Sequence, residues 1–391
     1  MSLKARRLLS VSLFCFIYLP ILPFFFMTHS GPLLDTFVWV AYTALGFVII
    51  LFPVSVARDA AIGIYSLIKK LNRRFSNNTM EDKPDVVSED AISRRQFLVK
   101  SNYVLMGVMA LSEVYGNTQV NKPPTLFSHI VPIPHLPTEF DGFKIAQISD
   151  IHIGPTIKRD YLAQVVAQVN ELKPDMVAIT GDLVDGTVAN LKSDIAPLQE
   201  LQSTYGTYFI TGNHEYYSGV SEWIEELSRL GVKTLMNSHD VIRRPAITIK
   251  KQGRKKWANL VIAGVPDIGE GPRSGKHPYE PETAIEGVPE NDVKILLAHQ
   301  PRDLERTWKA GYDLQLSGHT HGGQFFPWNF AVKLIYTYSK GFHLYQNKMW
   351  VNVNRGTGYW GPPMRLGVPS EVTLLTLTRG PRVTGQVNRK G

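Results

Sequence analysis

Hydrophobic and polar positions divide this chain into two regions with different rhythms. Residues 8–27 and 36–57 are uncharged, and each run is about as long as a bilayer-spanning helix. Residues 28–35 separate them without a lysine or arginine. From residue 143 the apolar runs shorten and alternate with segments of helical period. Strands are expected at 144–149, 176–180, 207–211, 241–249, 260–265, 293–298, 314–316, 350–354 and 372–377, with an edge strand at 129–133. Helices are expected at 159–172, 195–201, 220–230 and 302–309. Strands alternating with helices and then pairing antiparallel predict a layered α/β domain.

Charge adds an orientation. Lys4, Arg6 and Arg7 precede the first apolar run, and Arg58, Lys69, Lys70, Arg73 and Arg74 follow the second. The positive-inside rule then puts both flanks in the cytoplasm and the hairpin tip outside; two buried core helices are the alternative. Residues 1–75 thus read as a membrane anchor. Residues 76–100 read as a polar linker, disordered over 76–93, that ends in Ser93-Arg94-Arg95-Gln96-Phe97-Leu98. The apolar run at 101–116 is short for a span. It fits either an internal twin-arginine export signal, with the translocation machinery as partner, or a basic patch before a third short anchor. In both cases the domain at 117–391 lies on the external side of a cytoplasmic membrane. A net charge of +8 over 391 residues is mild, so nucleic acid is not an expected partner. The only cysteine, Cys15, lies in an apolar run, which excludes disulfides and thiolate metal sites.

The chemistry gathers at strand ends. Five polar clusters each follow an expected strand: Asp150/His152, Asp182/Asp185, Asn213/His214, His299 and His319/His321. In open α/β sheets that edge is where ligands bind. His319 and His321 stand two apart in an extended segment, so both imidazoles can aim into one cleft. Carboxylates, imidazoles and an amide without sulfur suit divalent Mn, Fe, Co or Zn, with Mn favoured, and seven ligands exceed the needs of one ion.

Asp150-x-His152, Gly181-Asp182-x-x-Asp185, Gly212-Asn213-His214-Glu215, His299 and Gly318-His319-Thr320-His321 resemble the five ordered motifs of the calcineurin-like metallophosphoesterase superfamily. The tail Asn354-Arg355-Gly356-Thr357-Gly358 with Pro362-Pro363-x-Arg365-Leu366 resembles its bacterial membrane-anchored, twin-arginine-exported phosphodiesterase branch. The resemblance implies a sandwich of two mixed sheets flanked by helices. It implies one metal on Asp150, His152 and His321, another on Asn213, His299 and His319, and Asp182 shared between them. It further implies a bridging hydroxide as nucleophile, with His214 as general acid oriented by Asp185. The arginine that follows the second motif in the related Ser/Thr phosphatases is replaced here by Gly186-Thr187. Arg355 and Arg365 are therefore candidates for a phosphate clamp. The expected substrate is an anionic, envelope- or lipid-linked phosphodiester. Cytoplasmic pyrophosphate hydrolysis of a nucleotide-linked acylated sugar is the second reading, and a non-catalytic scaffold on the same fold the third.

Overall fold

The computed structural model describes residues 31–75, 89–246 and 257–382, with a few isolated positions before residue 23. The expected span at 8–27 lies almost wholly outside the described residues, as do residues 76–88 of the expected linker and residues 247–249 of the strand expected at 241–249.

Among the described residues two long helices come first. Helix α1, Pro32–Phe75, continues well past the apolar run into its charged flank, and Pro32–Asn72 is long and apolar enough to cross a membrane. Helix α2, Glu89–Val120, is continuous for 32 residues. Residues 89–93 of the expected linker are helical, Arg94 and Arg95 lie inside the same helix, and no break separates 101–116 from residues 117–120.

Two six-stranded sheets form the body of the domain, ordered β1-β12-β2-β3-β4-β5 and β10-β11-β9-β8-β7-β6. The first contains β1 (Thr125–Ile133), β2 (Lys144–Ile148), β3 (Met176–Ile179), β4 (Thr207–Phe209), β5 (Val232–Thr234) and β12 (Glu371–Arg379). The second contains β6 (Ser238–Pro245), β7 (Trp257–Gly264), β8 (Val293–Leu297), β9 (Leu314–Ser317), β10 (Gly341–Tyr345) and β11 (Met349–Val353). Both are mixed: β2 to β5 run parallel with β12 antiparallel beside them, and β7, β8, β9 and β11 run parallel between two antiparallel edges.

Period-two alternation assigns each strand residue to a layer. Ile145, Met176 and Ala178 face the other sheet, where they meet Leu260, Ile262, Ile295, Leu297 and Leu314. Ala146, Ile148, Val177 and Ile179 point the opposite way, onto helices. Those helices are α3 (Arg159–Glu171), α4 (Val188–Ile195) and, after the short α5 (Asn213–Ser218), α6 (Val220–Arg229). Helix α3 buries Leu162, Val165, Val166 and Val169, the i, i+3, i+4, i+7 stripe of a helix with one apolar face. Outside the second sheet lie α7 (Glu270–Arg273) and α8 (Leu304–Lys309). There Ala263, Leu296, Val351 and Val353 pack on Leu304 and Tyr312. A last helix, α9 (Trp328–Ile335), follows β9.

The expected strands are all present, and β1 is longer than expected because it pairs with β12 over nine residues. The helix expected at 195–201 is instead α4 followed by a 3-10 turn, Ala196–Glu200. Pro197 in that turn has no N–H to donate, which explains why the α-helix ends there.

Helices α1 and α2 dock on the domain. Ile50 and Met109 pack against Phe325 and Met364. The Asn117 amide donates to the Pro363 carbonyl at 3.1 Å, and the Lys158 ammonium meets Asp35 at 3.0 Å.

Candidate metal centre

Every expected ligand follows the C-terminal edge of a strand, on a loop or, for Asn213 and His321, at the first residue of a short helical turn. The backbone there is unusual: Asp150, His152, Asp182, His319 and His321 have φ of 52°, 57°, 51°, 70° and 49°. Non-glycine residues avoid this left-handed region, and each such residue costs about 1–3 kcal/mol that neighbouring contacts must hold in place. Two glycines allow the loops to close. A Cβ on Gly318 would collide with Asp150 Oδ2, and one on Gly212 would collide with Asp182 Oδ1. The backbone N–H of His319 donates to both Asp150 oxygens, at 2.9 and 3.0 Å, and that of His214 to Asp182 Oδ1 at 2.9 Å.

The side chains converge in two groups. Ligand atoms of Asp150, His152 and His321 lie within 4.8 Å of one another, and so do those of Asp182, His299 and His319. His152 Nε2 faces His321 Nε2 at 3.1 Å, and His319 Nδ1 faces His299 Nε2 at 3.2 Å. Asp182 Oδ2 stands between the groups, 3.1 Å from His299 Nε2 and 3.9 Å from His152 Nε2. His299 Nδ1–H donates to the Thr180 carbonyl at 2.7 Å, so Nε2 is the nitrogen turned to the cleft. Asn213 Oδ1 is buried without a hydrogen-bond partner. Paired imidazole nitrogens, an orphaned amide oxygen and a shared carboxylate form a donor set that fits divalent cations. Burial, with His299 adding to it, pushes His319 down to about 3, so its imidazole is neutral and able to ligate.

His214 and Asp185 make a separate pair. His214 Nδ1 lies 2.5 Å from Asp185 Oδ1, and His152 Nδ1 shares the same oxygen at 3.2 Å. Burial acts to lower His214, but the Asp185 and Asp182 carboxylates outweigh it and hold the imidazole at about 9. Burial likewise acts to raise Asp185, and the His152 and His214 rings overcome it, leaving the carboxyl well below its usual range.

A cleft of about 500 Å³ opens over these groups, lined also by Tyr217 and Trp360. The two arginines do not join it, which corrects the expected clamp. Arg365 is 1 % exposed and donates to the carbonyls of Arg355, at 2.8 Å, and Gly356, at 3.2 Å, while touching His321 Nδ1 at 3.2 Å. Arg355 pairs with the buried Glu371 and lies 4.2 Å from the Phe127 ring centroid. Both brace loops.

Three contributors were missed in the sequence. Glu215, fully buried, accepts the N–H groups of Asp182, Leu183 and Gly212 at 3.0, 2.7 and 2.6 Å, tying two loops together. Its place directly after Asn213-His214 was the available signal. The Tyr336 hydroxyl meets His319 Nε2 at 2.9 Å and so fixes which ring nitrogen faces the cleft. Trp360 contacts the His214 ring edge-on, 5.5 Å between centroids.

The match to known proteins agrees with this geometry. The profile of the calcineurin-like phosphoesterase family fits residues 143–323, the segment from just before β2 through the His319/His321 loop. A "Transmembrane protein with metallophosphoesterase domain" from Danio rerio is 35 % identical over 74 % of this chain and 65 % of its own length. The Bos taurus protein of that name is 38 % identical over 73 % of this chain and 64 % of its own length. The chain thus spans slightly under two thirds of those two relatives. "Uncharacterized metallophosphoesterase YkuE" of Bacillus subtilis is 30 % identical over 73 % of this chain and 98 % of its own length. The chain belongs to the calcineurin-like metallophosphoesterases.

Proposed function

We propose that the protein is a membrane-associated phosphodiesterase that uses two divalent cations, with Mn²⁺ the favoured metal. Asp150, His152 and His321 would hold one cation, and Asn213, His299 and His319 the other. Asp182 would contribute to both, and its position between two imidazole pairs is the observation that carries this reading. When bound, such a pair supplies Lewis acidity, lowering the pKa of water and drawing charge from phosphoryl oxygens.

The chain's own residues do the rest. His214, protonated at neutral pH and held through Nδ1 by Asp185, presents its other nitrogen to the cleft. It donates a proton to the departing alkoxide oxygen, and Asp185 steadies the imidazolium beforehand. Tyr217 and Trp360 wall the cleft on either side of that ring and limit water there. Among the described residues no arginine lines the cleft, which favours a diester, whose phosphate carries one charge, over a monoester carrying two. Helix α1 and the names of the two vertebrate relatives support a membrane location, and the charged flanks favour the external side for the domain. The substrate is then an anionic phosphodiester at the bilayer or envelope.

The test is hydrolysis by the purified full chain with Mn²⁺. Bis-(p-nitrophenyl) phosphate should be cleaved faster than p-nitrophenyl phosphate, and chelation should abolish both activities. Metal-loaded protein that cleaves neither ester with Mn, Fe, Co or Zn would refute the enzymatic reading.

A further inference from the structure

Helix α9 is amphipathic the wrong way round for a soluble protein. Only Val332 of its eight residues is buried. Within ten residues, Phe326, Trp328, Phe330, Leu334 and Ile335 are 46, 48, 56, 90 and 62 % exposed, and nothing among the described residues covers them. Phe326 meets Phe330 ring to ring at 5.9 Å and Leu334 lies one turn on, so these three form an exposed apolar stripe, which is costly in water and marks a docking surface.

Its position identifies the occupant. Phe325, the residue before this patch, packs on Ile50, with Val54 beside it, inside the apolar stretch of α1. The exposed residues of α9 therefore begin one position after a contact with the helix that has the composition of a membrane span. Charge agrees. No Asp or Glu occurs between Asp313 and Glu371, and Lys333 and Lys340 lie in α9 and just after it. Lys333 is exposed on α9 with its ammonium 5.8 Å from the Phe330 centroid, so its stem can lie along the apolar face while the charge reaches headgroups.

We infer that α9 docks the catalytic domain onto an anionic lipid bilayer, independently of the α1 anchor. Tyr336, the next residue after the helix, touches His319. Docking thus sets the metal centre at headgroup depth, where a phosphodiester lipid presents its phosphate. The inference rests on the membrane association proposed above and not on hydrolysis.

Because Cys15 is the only cysteine, a Cys15→Ser background allows one site to be labelled at a time. Full-length Leu334→Cys, carrying a polarity-sensitive NBD label, is reconstituted into phosphatidylethanolamine/phosphatidylglycerol vesicles. The emission should shift to the blue, and nitroxides on the lipid acyl chains should quench more than half of it. Phe330→Cys should behave alike, whereas Glu171→Cys, at the opposite end of the strands, should remain water-like and unquenched. Water-like emission from both α9 sites would overturn the inference. So would a blue shift without lipid quenching, which means that protein, such as a second copy, covers the face. Loss of the phosphodiesterase reading would leave these outcomes unchanged, so the two failures are distinguishable.

Discussion

Replacing Glu215 by Gln tests what holds the ligand loops in their unfavourable backbone conformation. The carboxylate is buried and accepts three backbone N–H groups, two on Oε2 and one on Oε1. An amide has one oxygen, so at least one N–H would face an NH₂ group instead. A buried donor left without a partner costs about 1–3 kcal/mol, and each surviving bond falls from the charged to the neutral class, a loss of about 1 kcal/mol. Together these losses come to about 3–5 kcal/mol, a large share of the ~5–15 kcal/mol typical of a folded domain. The damage is local, because the donors belong to the Asp182 and Gly212 loops. Thermal unfolding, followed through the buried Trp223 beside Gly186, should move down by several degrees. Metal content at neutral pH should fall with it. Burial and the Asp182 charge push Glu215 up to about 7, against the pull of its N–H donors. Were the acid form the one that matters, its O–H would be mimicked by Gln. An unchanged melting temperature together with full metal content would refute the reasoning.

Asp182→Asn should reduce metal content at both positions by weakening the shared ligand, as measured by elemental analysis; loss of one equivalent alone would show that it serves a single site. His214→Ala should keep its metal and lose turnover by ~10²–10⁴-fold on alkyl phosphodiesters, but far less on p-nitrophenyl esters, whose leaving group needs no proton. Equal losses on both would remove the general-acid role. His129 in β1 is buried with neither ring nitrogen partnered, and burial, then Arg355 and His343, depress it to about 4. The unfolded chain therefore binds its proton first, so stability present above pH 6.5 declines toward pH 4 and stays reduced below. The expected loss is about 2 kcal/mol, less than the full shift because the ring retains some solvent contact. His129→Phe, stacking on Phe342 as the imidazole does, should flatten that part of the unfolding profile, and an unchanged acid slope would assign it elsewhere.

How legible each feature was in the sequence depends on the physics behind its signal. Strand positions were readable because burial on both faces demands near-continuous apolar runs, as in β3 and β8. The ligands were readable because cation chemistry restricts them to few residue types at strand ends. Arg355 and Arg365 were misread because a guanidinium suits a phosphate and a ring of carbonyls equally well; only the path of the 354–368 loop decides, and it curls around Arg365. Glu215 was overlooked because a carboxylate beside ligands suggests chemistry, whereas here it serves backbone donors of two separate loops. Helix α9 poses a different difficulty. Trp328, Phe330, Leu334 and Ile335 are as apolar as any core stripe, and a sequence records hydrophobicity without recording what covers it. Lipid and protein interior select the same side chains. The fold separates them by showing that Leu334 is 90 % exposed while its neighbour Val332 is buried, and that Phe325, just ahead of this helix, packs on the uncharged stretch of α1.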